Sequence, residues 1–594
     1  MANLTPTPEQ KHLIDLAATG CRSLAVNAFA GTGKTSTLAM IAEAWPGRSV
    51  LYLAFNKSIA DDCKGTMPAK VEARTTHSLA YTAMRPSRAR LDARLNGGWV
   101  AERYGLSEVR LARDKSISAA QLGYHVLSAL TRFLHSADDA PGSQHVPAVE
   151  TIFGGKDKVP GEVEHVLRQM AGGIQKSAFS VMKKLWDEQC DPGSNVPITH
   201  DTYLKRWALT RPQLNYDLVM FDEAQDANPV IIDVIQRQTR PAVVWVGDRH
   251  QQIYSWRGAV DALNRVKVGS TGYLTKSWRF GPAVADLANP ILRALGERRS
   301  LVGAGDGVSR KGDRAILCRT NARALAEFME HLGPDVELVG GKELLQLVKD
   351  VQALQRGNPR GAFALFADYE QLVEHSKTPE GGDLAALVKA VEEYGISDII
   401  KALEGSERKP GRASLTISTI HKAKGREWDR VRLTGDWPSK KNESDPEKRD
   451  PKPLDDEAWR LMYVAVTRGR CAVDVDEVQP WLDLVGACAP EESQEDQEEQ
   501  GEPLVLEVRE KATEIVVDPE PVATAPKREK AAASVTGAKP KTGAERQREL
   551  VKRKKAAGMV QHADWYFPDE LAAVKAFRAT YRKAKGLVAP GDDA

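Results

Sequence analysis

The chain has 594 residues, of which 42% are hydrophobic and 28% are charged, and its formal net charge is +2. That length is about four times a ~150-residue domain, which excludes a single domain and predicts several sizeable cores. Because the charge is almost balanced, any contact with nucleic acid must come from local basic patches rather than from the chain as a whole.

The sequence indicates neither a membrane-spanning segment nor an oxidising compartment. No apolar run of about 18 residues is present, and the amino terminus lacks a basic segment followed by an apolar one. The six cysteines are scattered without a C-x-x-C pair, which predicts reduced thiols and argues against a zinc or iron–sulfur site. We therefore expect a cytoplasmic protein, of a bacterial or phage-infected cell.

The first predicted helix carries Gln10. Its amide lies just upstream of a phosphate-binding pattern, where it is suited to reading the adenine edge of a nucleotide. A solvated glutamine on the helix surface is the alternative interpretation.

A phosphate-binding loop is predicted where the letters AFAGTGKT separate an apolar run from a helix-forming segment. In such a loop, backbone N–H groups point at the phosphates, Lys34 adds a positive charge and Thr35 offers a hydroxyl to Mg²⁺. Ala28 stands where the usual pattern has glycine, so we expect no left-handed backbone there. An ordinary glycine-containing loop is the alternative. The nucleotide-binding positions are Ala28, Ala30, Gly31, Thr32, Gly33, Lys34 and Thr35.

Polar residues follow the next two predicted strands. Residues 49–57 form a buried strand that ends at Asn56, and the carboxyl ends of strands bind ligands in open α/β sheets. His77 follows a second short strand, where the alternative is a helix cap or a structural histidine. Residues 91–211 carry no chemical motif and are predicted to be a mostly helical insertion.

Two adjacent acids, Asp222 and Glu223, end an apolar strand over residues 218–221. Hydrolysis of a phosphoanhydride needs one carboxylate on Mg²⁺ and another group that orients or deprotonates water. We assign these roles to Asp222 and Glu223. A strand followed by an acidic helix cap is the alternative.

A segment of interleaved polar and aromatic residues follows the strand at 242–247. Gln251 is placed to reach the γ-phosphate. Tyr254, Trp256 and Arg257 are expected to face a nucleic-acid groove, where stacking of a base on a ring contributes about 1–3 kcal/mol. The alternative is an aromatic cluster of the core.

A second α/β unit begins after residue 312 and has no phosphate loop of its own. Its strand at 415–420 runs into a basic turn that contains His421. A later helix is predicted over 456–470 and includes Arg468, for which a solvated surface charge is the alternative.

The composition changes at Pro490. An acidic run and a Pro/Ala/Lys-rich stretch predict a linker to residue 543. Residues 544–594 are predicted to be a basic helical appendage that contacts DNA or a protein partner. The alternatives are a small folded module and a weakly folded segment.

The set and order of these motifs resemble superfamily 1 DNA helicases of the UvrD/Rep type. The matching segments are AFAGTGKT, DEAQD, VGDRHQQIYSWRGA, LTKSWRF, TISTIHKAKGREWD and WRLMYVAVTRGR. Within that group, AFNKSIA, TTHSLAY, THDTYLKRWAL and VGDRHQQIY look most like the F-box DNA helicase branch. We expect no F-box segment ahead of the motor.

The resemblance implies an α/β fold class: two RecA-like P-loop NTPase domains, with parallel sheets flanked by helices and with helical insertions. Domain 1A would comprise 1–90 and 212–280, with helical insertion 1B at 91–211. Domain 2A would comprise 281–344 and 413–488, with a small helical 2B insertion at 345–412. The linker at 489–543 and the appendage at 544–594 would follow.

The resemblance also implies roles for individual residues. Gln10 would contact adenine, Trp278 would stack on it, and Glu427 would lie near the nucleotide. Arg279 and Arg468 would be arginine fingers from opposite sides of the cleft, groups that contribute about 10³–10⁵ in rate. The catalytic set would be Lys34, Asp222, Glu223, Gln251, Arg279 and Arg468, with Thr35 and Asp222 on the metal. The single-strand path would be lined by Phe55, Asn56, Thr76, His77, Tyr254, Trp256, Arg257 and His421.

The implied activity is ATP- and Mg²⁺-dependent movement along single-stranded DNA, 3′-to-5′, in DNA repair, recombination or replication. Expected partners are single-stranded DNA, single/double-strand junctions, and recombinase or replication proteins. A second hypothesis is a DNA-stimulated ATPase that strips proteins such as recombinase filaments from DNA with little unwinding. A third is a non-catalytic DNA-binding scaffold, which the complete set of catalytic residues disfavours.

Overall fold

The computed structural model describes residues 5–488, apart from 20, 48, 64, 114, 154–158, 255–259, 310–311, 334, 359, 364–365, 367, 377–381, 406–412 and 442–448. The predicted linker and basic appendage, 489–594, lie outside the described residues. Within the described part, no helix is long and apolar enough to cross a membrane.

Strands and helices alternate along most of the chain. The strands are β1 Ser23–Ala28, β2 Val50–Ala54, β3 Val71–Thr75, β4 Val109–Arg110, β5 Ser116–Ile117, β6 Leu218–Phe221, β7 Ala242–Gly247, β8 Ser270–Leu274, β9 Lys276–Ser277, β10 Val302–Gly303, β11 Arg314–Cys318, β12 Val336–Leu338, β13 Leu415–Thr419, β14 Trp428–Leu433, β15 Ser439–Lys441, β16 Arg449–Pro451 and β17 Gly469–Asp474. The helices are α1 Pro8–Ala18, α2 Lys34–Ala44, α3 Lys57–Cys63, α4 Thr76–Met84, α5 Arg88–Asp92, α6 Gly97–Tyr104, α7 Ala119–His135, α8 Gly161–Cys190, α9 His200–Leu209, α10 Pro229–Gln236, α11 Ala262–Arg265, α12 Pro282–Ala294, α13 Asn321–Glu330, α14 Gly341–Gln355, α15 Tyr369–Ser376, α16 Gly382–Tyr394, α17 Ile396–Gly405, α18 Ile420–Ala423, α19 Asp456–Val466 and α20 Gln479–Cys488.

The first domain is built on a parallel sheet with the order β3-β2-β6-β7-β1-β8. The inner strands β2, β6 and β7 are apolar on both faces, as expected for a sheet covered by helices on each side, whereas the edge strands β3 and β8 also carry polar residues. One face packs on α1, α2 and α3, and the other packs on α4, α9, α10 and α11. The register pairs Asn27 with Gly247 and Phe221 with Trp245, so the ends of β1, β6 and β7 meet at one edge.

The second domain has a parallel sheet with the order β12-β13-β11-β14-β17. Helices α12, α19 and α20 cover one face, and α13, α14, α16 and α17 cover the other. The apolar cluster on the first face also includes Phe29, Ala30 and Ile253 of the first domain. The predicted α/β fold class, with two parallel sheets flanked by helices, is confirmed.

The segment between α4 and β6 contains α5 to α9 and the short β4–β5 pair. Helices α6, α7 and α8 pack around their own apolar clusters. Helix α9 differs, because its Tyr203, Leu204 and Trp207 pack with the core of the first sheet. The subdomain boundaries given above stay predictions.

One predicted helix is shorter than expected. The helix predicted over 456–470 ends at Val466, and β17 begins at Gly469. The Thr467 N–H still donates to the Tyr463 carbonyl at 3.1 Å, but the Arg468 N–H donates to the Ala465 carbonyl at 3.2 Å, so the helical pattern ends in a tighter turn. Arg468 therefore lies in a tight turn between helix and strand.

Candidate nucleotide site and adjoining aromatic groove

The predicted phosphate-binding loop follows β1 and ends where α2 begins. Positive φ values fall on Gly31 (72°) and Gly33 (82°), whereas Ala28 is the last residue of β1, so the expectation for Ala28 is confirmed. A Cβ at Gly31 would lie 2.5 Å from the Arg279 Cβ, and the Trp278 N–H donates to the Gly31 carbonyl at 2.9 Å. The loop is therefore packed directly against the segment that carries this ring and this arginine.

The two adjacent acids lie at the end of β6, beside the loop. Lys34 Nζ is 3.7 Å from Glu223 Oε1. The Asp222 carboxylate accepts hydrogen bonds from the Tyr52 hydroxyl at 2.6 Å and from the Glu223 N–H at 2.8 Å. Glu223 has a φ of 53°, in the left-handed region that few non-glycine residues adopt. This turn separates the carboxylates, because Asp222 contacts Tyr52 whereas Glu223 faces Lys34.

Burial and neighbouring charges act differently on the two acids. Burial, with the Glu223 charge, raises the pKa of Asp222. Burial acts in the same direction on Glu223, but Lys34 and Lys424 outweigh it and hold its pKa below the ordinary value. A cation beside Asp222 would favour its ionised form. The Asp222 carboxylate and the exposed Thr35 hydroxyl are oxygen donors of the kind that Mg²⁺ prefers, so these residues fit a divalent cation.

The two residues expected at the adenine differ in exposure. Gln10 is 6% exposed, so the alternative of a solvated surface glutamine is wrong. Its Oε1 accepts from the Thr7 N–H at 3.0 Å, and its Nε2 donates to Thr37 Oγ1 at 3.1 Å. One N–H and one lone pair of the amide are not used by these two bonds, so contact with the adenine edge does not require the release of either partner. The Trp278 ring is 50% exposed, which leaves its surface available for stacking.

Both predicted arginine fingers have partners across the cleft. Arg279 Nε donates to the Glu427 carboxylate at 2.7 Å, and its Nη1 donates to the Thr467 carbonyl at 3.1 Å. Arg468 is buried and its Nη2 donates to Gln251 Oε1 at 3.3 Å, so the alternative of a solvated surface charge is wrong. Burial and the nearby Arg279 charge lower the pKa of Arg468, which stays protonated at neutral pH.

Two groups that join the domains were missed by the sequence reasoning. The Tyr463 hydroxyl accepts from the Ala30 N–H and donates to the Asp248 carboxylate, each at 3.1 Å. Lys424 donates to the Asp226 carboxylate. Burial raises the pKa of Asp226 to about 6, although the ammonium group opposes it. The sequence offered one indication of their importance, because Tyr463 and Lys424 lie in motifs that were singled out for other residues.

An aromatic groove adjoins the nucleotide site. The rings of Phe55 and Tyr254 are stacked, with centroids 6.0 Å apart and planes inclined by 10°, and Phe55 is 42% exposed. The Tyr254 hydroxyl donates to the His421 carbonyl at 3.1 Å. A groove of about 1000 Å³ is lined by Tyr254 and His421 together with Arg319 and Lys422. The lining also includes Lys424 and three acids, Glu343, Asp455 and Glu457. One aromatic ring, an imidazole and several cations thus lie on one concave surface, and rings and cations are the groups that proteins use to bind single-stranded nucleic acid.

The other residues predicted to line the path of single-stranded DNA have other structural roles or lie outside the described residues. Asn56 Oδ1 accepts from the Ile59 N–H at 2.9 Å and so caps α3. Thr76 is buried at the start of α4. His77 Nε2 lies 3.2 Å from Asp201 Oδ1, so its imidazole has a partner, as the structural alternative expected. Trp256 and Arg257 lie outside the described residues.

The geometry defines a class of protein. A phosphate-binding loop and an acid pair in one parallel-sheet domain face arginines supplied from the segment after β9 and from the second parallel-sheet domain. That arrangement is the cleft of a two-domain P-loop nucleoside triphosphatase of RecA-like fold.

Comparisons with known proteins identify the family. Residues 7–264 match the UvrD/REP helicase N-terminal domain, and residues 342–473 match the UvrD-like helicase C-terminal domain. The chain belongs to the UvrD-like helicases, as its motifs predicted.

Individual relatives agree with this family. The chain is 30% identical to F-box DNA helicase 1 of Gallus gallus, over 81% of this chain and 50% of that protein. It is 29% identical to F-box DNA helicase protein 1 of Schizosaccharomyces pombe, over 78% of this chain and 56% of that protein. It is 24% identical to an ATP-dependent DNA helicase of Mycobacterium bovis, over 43% of this chain and 47% of that protein. The chain thus spans about half the length of these relatives, which are both eukaryotic and bacterial, so the expected host stays a prediction.

Proposed function

We propose that this chain is an ATP-dependent DNA helicase or translocase that moves 3′-to-5′ on single-stranded DNA, in DNA repair, recombination or replication. The observation that carries the proposal is the continuity between cleft and groove. Gln251 accepts from Arg468 of the second domain, and Tyr254, three residues further on, lines the groove and stacks on Phe55. A change at the nucleotide is therefore passed to an aromatic contact over a very short stretch of chain.

In the proposed mechanism, the first domain binds the nucleotide. The N–H groups of the loop and the Lys34 ammonium hold the β- and γ-phosphates. Thr35 and Asp222 would hold Mg²⁺, which when bound neutralises charge that develops on the phosphate oxygens. Glu223, kept ionised by Lys34, accepts the proton of the attacking water. Trp278 stacks on the adenine, while Gln10 contacts its edge with the N–H and the lone pair that its protein partners leave unused.

Arginines from both sides of the cleft complete the site when the cleft closes. Arg279 and Arg468 turn towards the γ-phosphate and stabilise the charge of the transition state. Gln251, which is hydrogen-bonded to Arg468, contacts the same phosphate. Arg279 leaves Glu427 and contacts this phosphate as well. Closure and reopening in each cycle shift the ring contacts along the strand.

The subdomain assignment belongs to the same proposal. Residues 1–90 and 212–280 would act as domain 1A, and 281–344 and 413–488 as domain 2A. The helices within 91–211 and 345–412 would act as the 1B and 2B insertions. Single/double-strand junctions are the proposed substrates.

Duplexes with different ends test the proposal directly. ATP hydrolysis and strand displacement should be measured on blunt, 3′-tailed and 5′-tailed duplexes of the same sequence. We expect single strands to stimulate hydrolysis and displacement to require a 3′ tail. Displacement from a 5′ tail alone would overturn the polarity, and hydrolysis indifferent to DNA would overturn the motor. Stimulated hydrolysis without displacement on any duplex would instead favour the removal of bound proteins.

A further inference from the structure

We propose that Tyr52 is a positioning residue, which orients the Asp222 carboxylate towards a divalent cation bound with the nucleotide. The proposal rests on the function proposed above and concerns the residues that would hold Mg²⁺ there. Tyr52 is the central residue of β2 and is completely buried. The other four residues of that strand are aliphatic, so the Tyr52 hydroxyl is the one polar side-chain group of β2.

Two hydrogen bonds fix the Asp222 carboxylate, one at each oxygen. The Tyr52 hydroxyl donates to Oδ2 at 2.6 Å, and the Glu223 N–H donates to Oδ1 at 2.8 Å. The Asp222 N–H donates to the Leu53 carbonyl at 3.1 Å, so β2 holds both the backbone and the side chain of this acid. An ionised carboxylate has about four lone-pair sites. Each oxygen therefore keeps a site for a cation, while rotation of the carboxylate would break a hydrogen bond.

A tyrosine hydroxyl suits this position for two reasons. It carries no charge at neutral pH, so it holds the carboxylate without adding a positive charge that would repel the cation. Its ring packs in an apolar cluster with Val26, Ala60 and Met220, which fixes the place of the hydroxyl. Carboxylates that bind metals are commonly held by hydrogen bonds of this kind, because these bonds orient the ligand.

The alternative is a purely structural bond, in which Asp222 only satisfies a buried phenol. The Cys63 thiol is also hydrogen-bonded to this phenol, but sulfur is a weak acceptor, so the hydroxyl proton is directed at Asp222. Both interpretations predict a loss of stability when the hydroxyl is removed, since a charge-assisted hydrogen bond is lost. Only the positioning role predicts that the binding of the metal changes as well.

The test compares nucleotide binding with and without Mg²⁺ in the full-length wild type, Tyr52→Phe and Tyr216→Phe. In the control, the Tyr216 hydroxyl donates to the Glu72 carboxylate at 2.7 Å, so the same type of bond is removed elsewhere in the first domain. The measured quantity is the ratio of the Kd for mant-labelled AMP-PNP in EDTA to its Kd in saturating Mg²⁺. We expect this ratio to fall about 10-fold in Tyr52→Phe, as for the loss of a hydrogen bond to a metal ligand. The ratio should be unchanged in Tyr216→Phe, and the Kd in EDTA should be the same in all three proteins.

A wild-type ratio in folded Tyr52→Phe, with only the temperature of thermal unfolding lowered, overturns the proposal. Nucleotide binding that does not depend on Mg²⁺ in the wild type also overturns it. If Tyr52→Phe does not fold, Tyr52→Met removes the hydroxyl with a side chain that adapts to irregular space, and the same ratio decides. A wild type that binds the analogue with Mg²⁺ but shows no DNA-stimulated hydrolysis would overturn the proposed function instead, and the binding ratios would still decide the role of Tyr52.

Discussion

The two α/β domains use the same structural position in opposite ways. In the first domain, the turn from β1 to α2 is a glycine-containing loop beside Lys34. In the second domain, the turn from β11 to α13 has its N–H groups occupied, because the Asp436 carboxylate accepts from Arg319 and Thr320 at 3.0 and 2.7 Å. Such N–H groups otherwise attract an anionic ligand. The N–H groups of a turn from a parallel strand to a helix are therefore available to phosphate only where no carboxylate of the chain accepts from them.

The comparison assigns phosphate binding to the first domain, and Lys34→Ala is the most direct test of this assignment. Hydrolysis stimulated by single-stranded DNA should be abolished, because the charge opposite the phosphates is lost. Steady-state ATPase assays with oligo(dT) measure this. Lys11→Ala, at an exposed position on α1, should retain activity. Full activity in Lys34→Ala would remove the loop from the site.

The contribution of the second domain should be nearly as large. Arg468→Ala is expected to lower the DNA-stimulated kcat about 10³-fold, as for the loss of an arginine finger. The matched control is Arg460→Ala on α19, which removes an arginine that lies 3.7 Å from the exposed Asp456. Thermal unfolding of both variants separates catalysis from folding. A loss confined to stability, with kcat intact, would contradict the role of Arg468.

Asp436 tests the other half of the comparison. Its carboxylate also accepts from the Thr320 and Thr434 hydroxyls, each at 2.8 Å. Asp436→Ala should lower the free energy of unfolding by about 2–3 kcal/mol, since buried donors lose a charged acceptor. Asp456→Ala, which removes an exposed acid, should cost about 1 kcal/mol or less. Equal effects in urea unfolding would show that Asp436 has no special role.

The smallest expected effect concerns the contact between α12 and the first domain. Glu297 accepts from Arg249 at 2.8 Å and lies 3.2 Å from His250 Nε2. Burial opposes ionisation, but His250, the Arg299 N–H and Arg249 lower the pKa of Glu297 from 4.5 to about 2. The stability that this acid contributes is therefore present above pH 4.5 and is lost as the pH falls towards 2.

The measurement is urea unfolding of the wild type and Glu297→Gln at pH 7 and pH 3. The wild type should lose about 2 kcal/mol more than the variant over this interval. Equal losses in the two proteins would mean that the carboxylate is not ionised by its neighbours.

The parts of the site that follow each other in the chain could be predicted from the sequence. The loop before α2 and the acids after β6 are local patterns of strand, turn and helix, so their positions followed from residue type and spacing. The left-handed backbone at Glu223 could not be predicted, because nothing in the residue type favours it. The end of α19 was also missed, because the predicted helix was continued through Gly469, which is the first residue of β17.

The contacts between the domains could not be predicted from the sequence, for a different reason. Tyr463 and Ala30, or Lys424 and Asp226, are separated by a large part of the chain, and no pattern of spacing indicates that two such residues meet. The occupied turn at Asp436 has the same origin, since its acid comes from the end of β14. The first two pairings depend on how two finished domains pack together, whereas the Asp436 turn depends on β11 and β14 being neighbours in one sheet.

Glu223 carries a further consequence for the design of variants. A non-glycine residue in the left-handed region costs on the order of 1 kcal/mol, so this acid is kept at the expense of folding stability. Glu223→Gly would relieve that strain while removing the carboxylate. The charge interactions with Lys34 and Lys424 that lower the pKa of Glu223 would be lost with it. The strained backbone and the ion pairs therefore oppose each other at this residue, and the strain is tolerated because the carboxylate is stabilised in place.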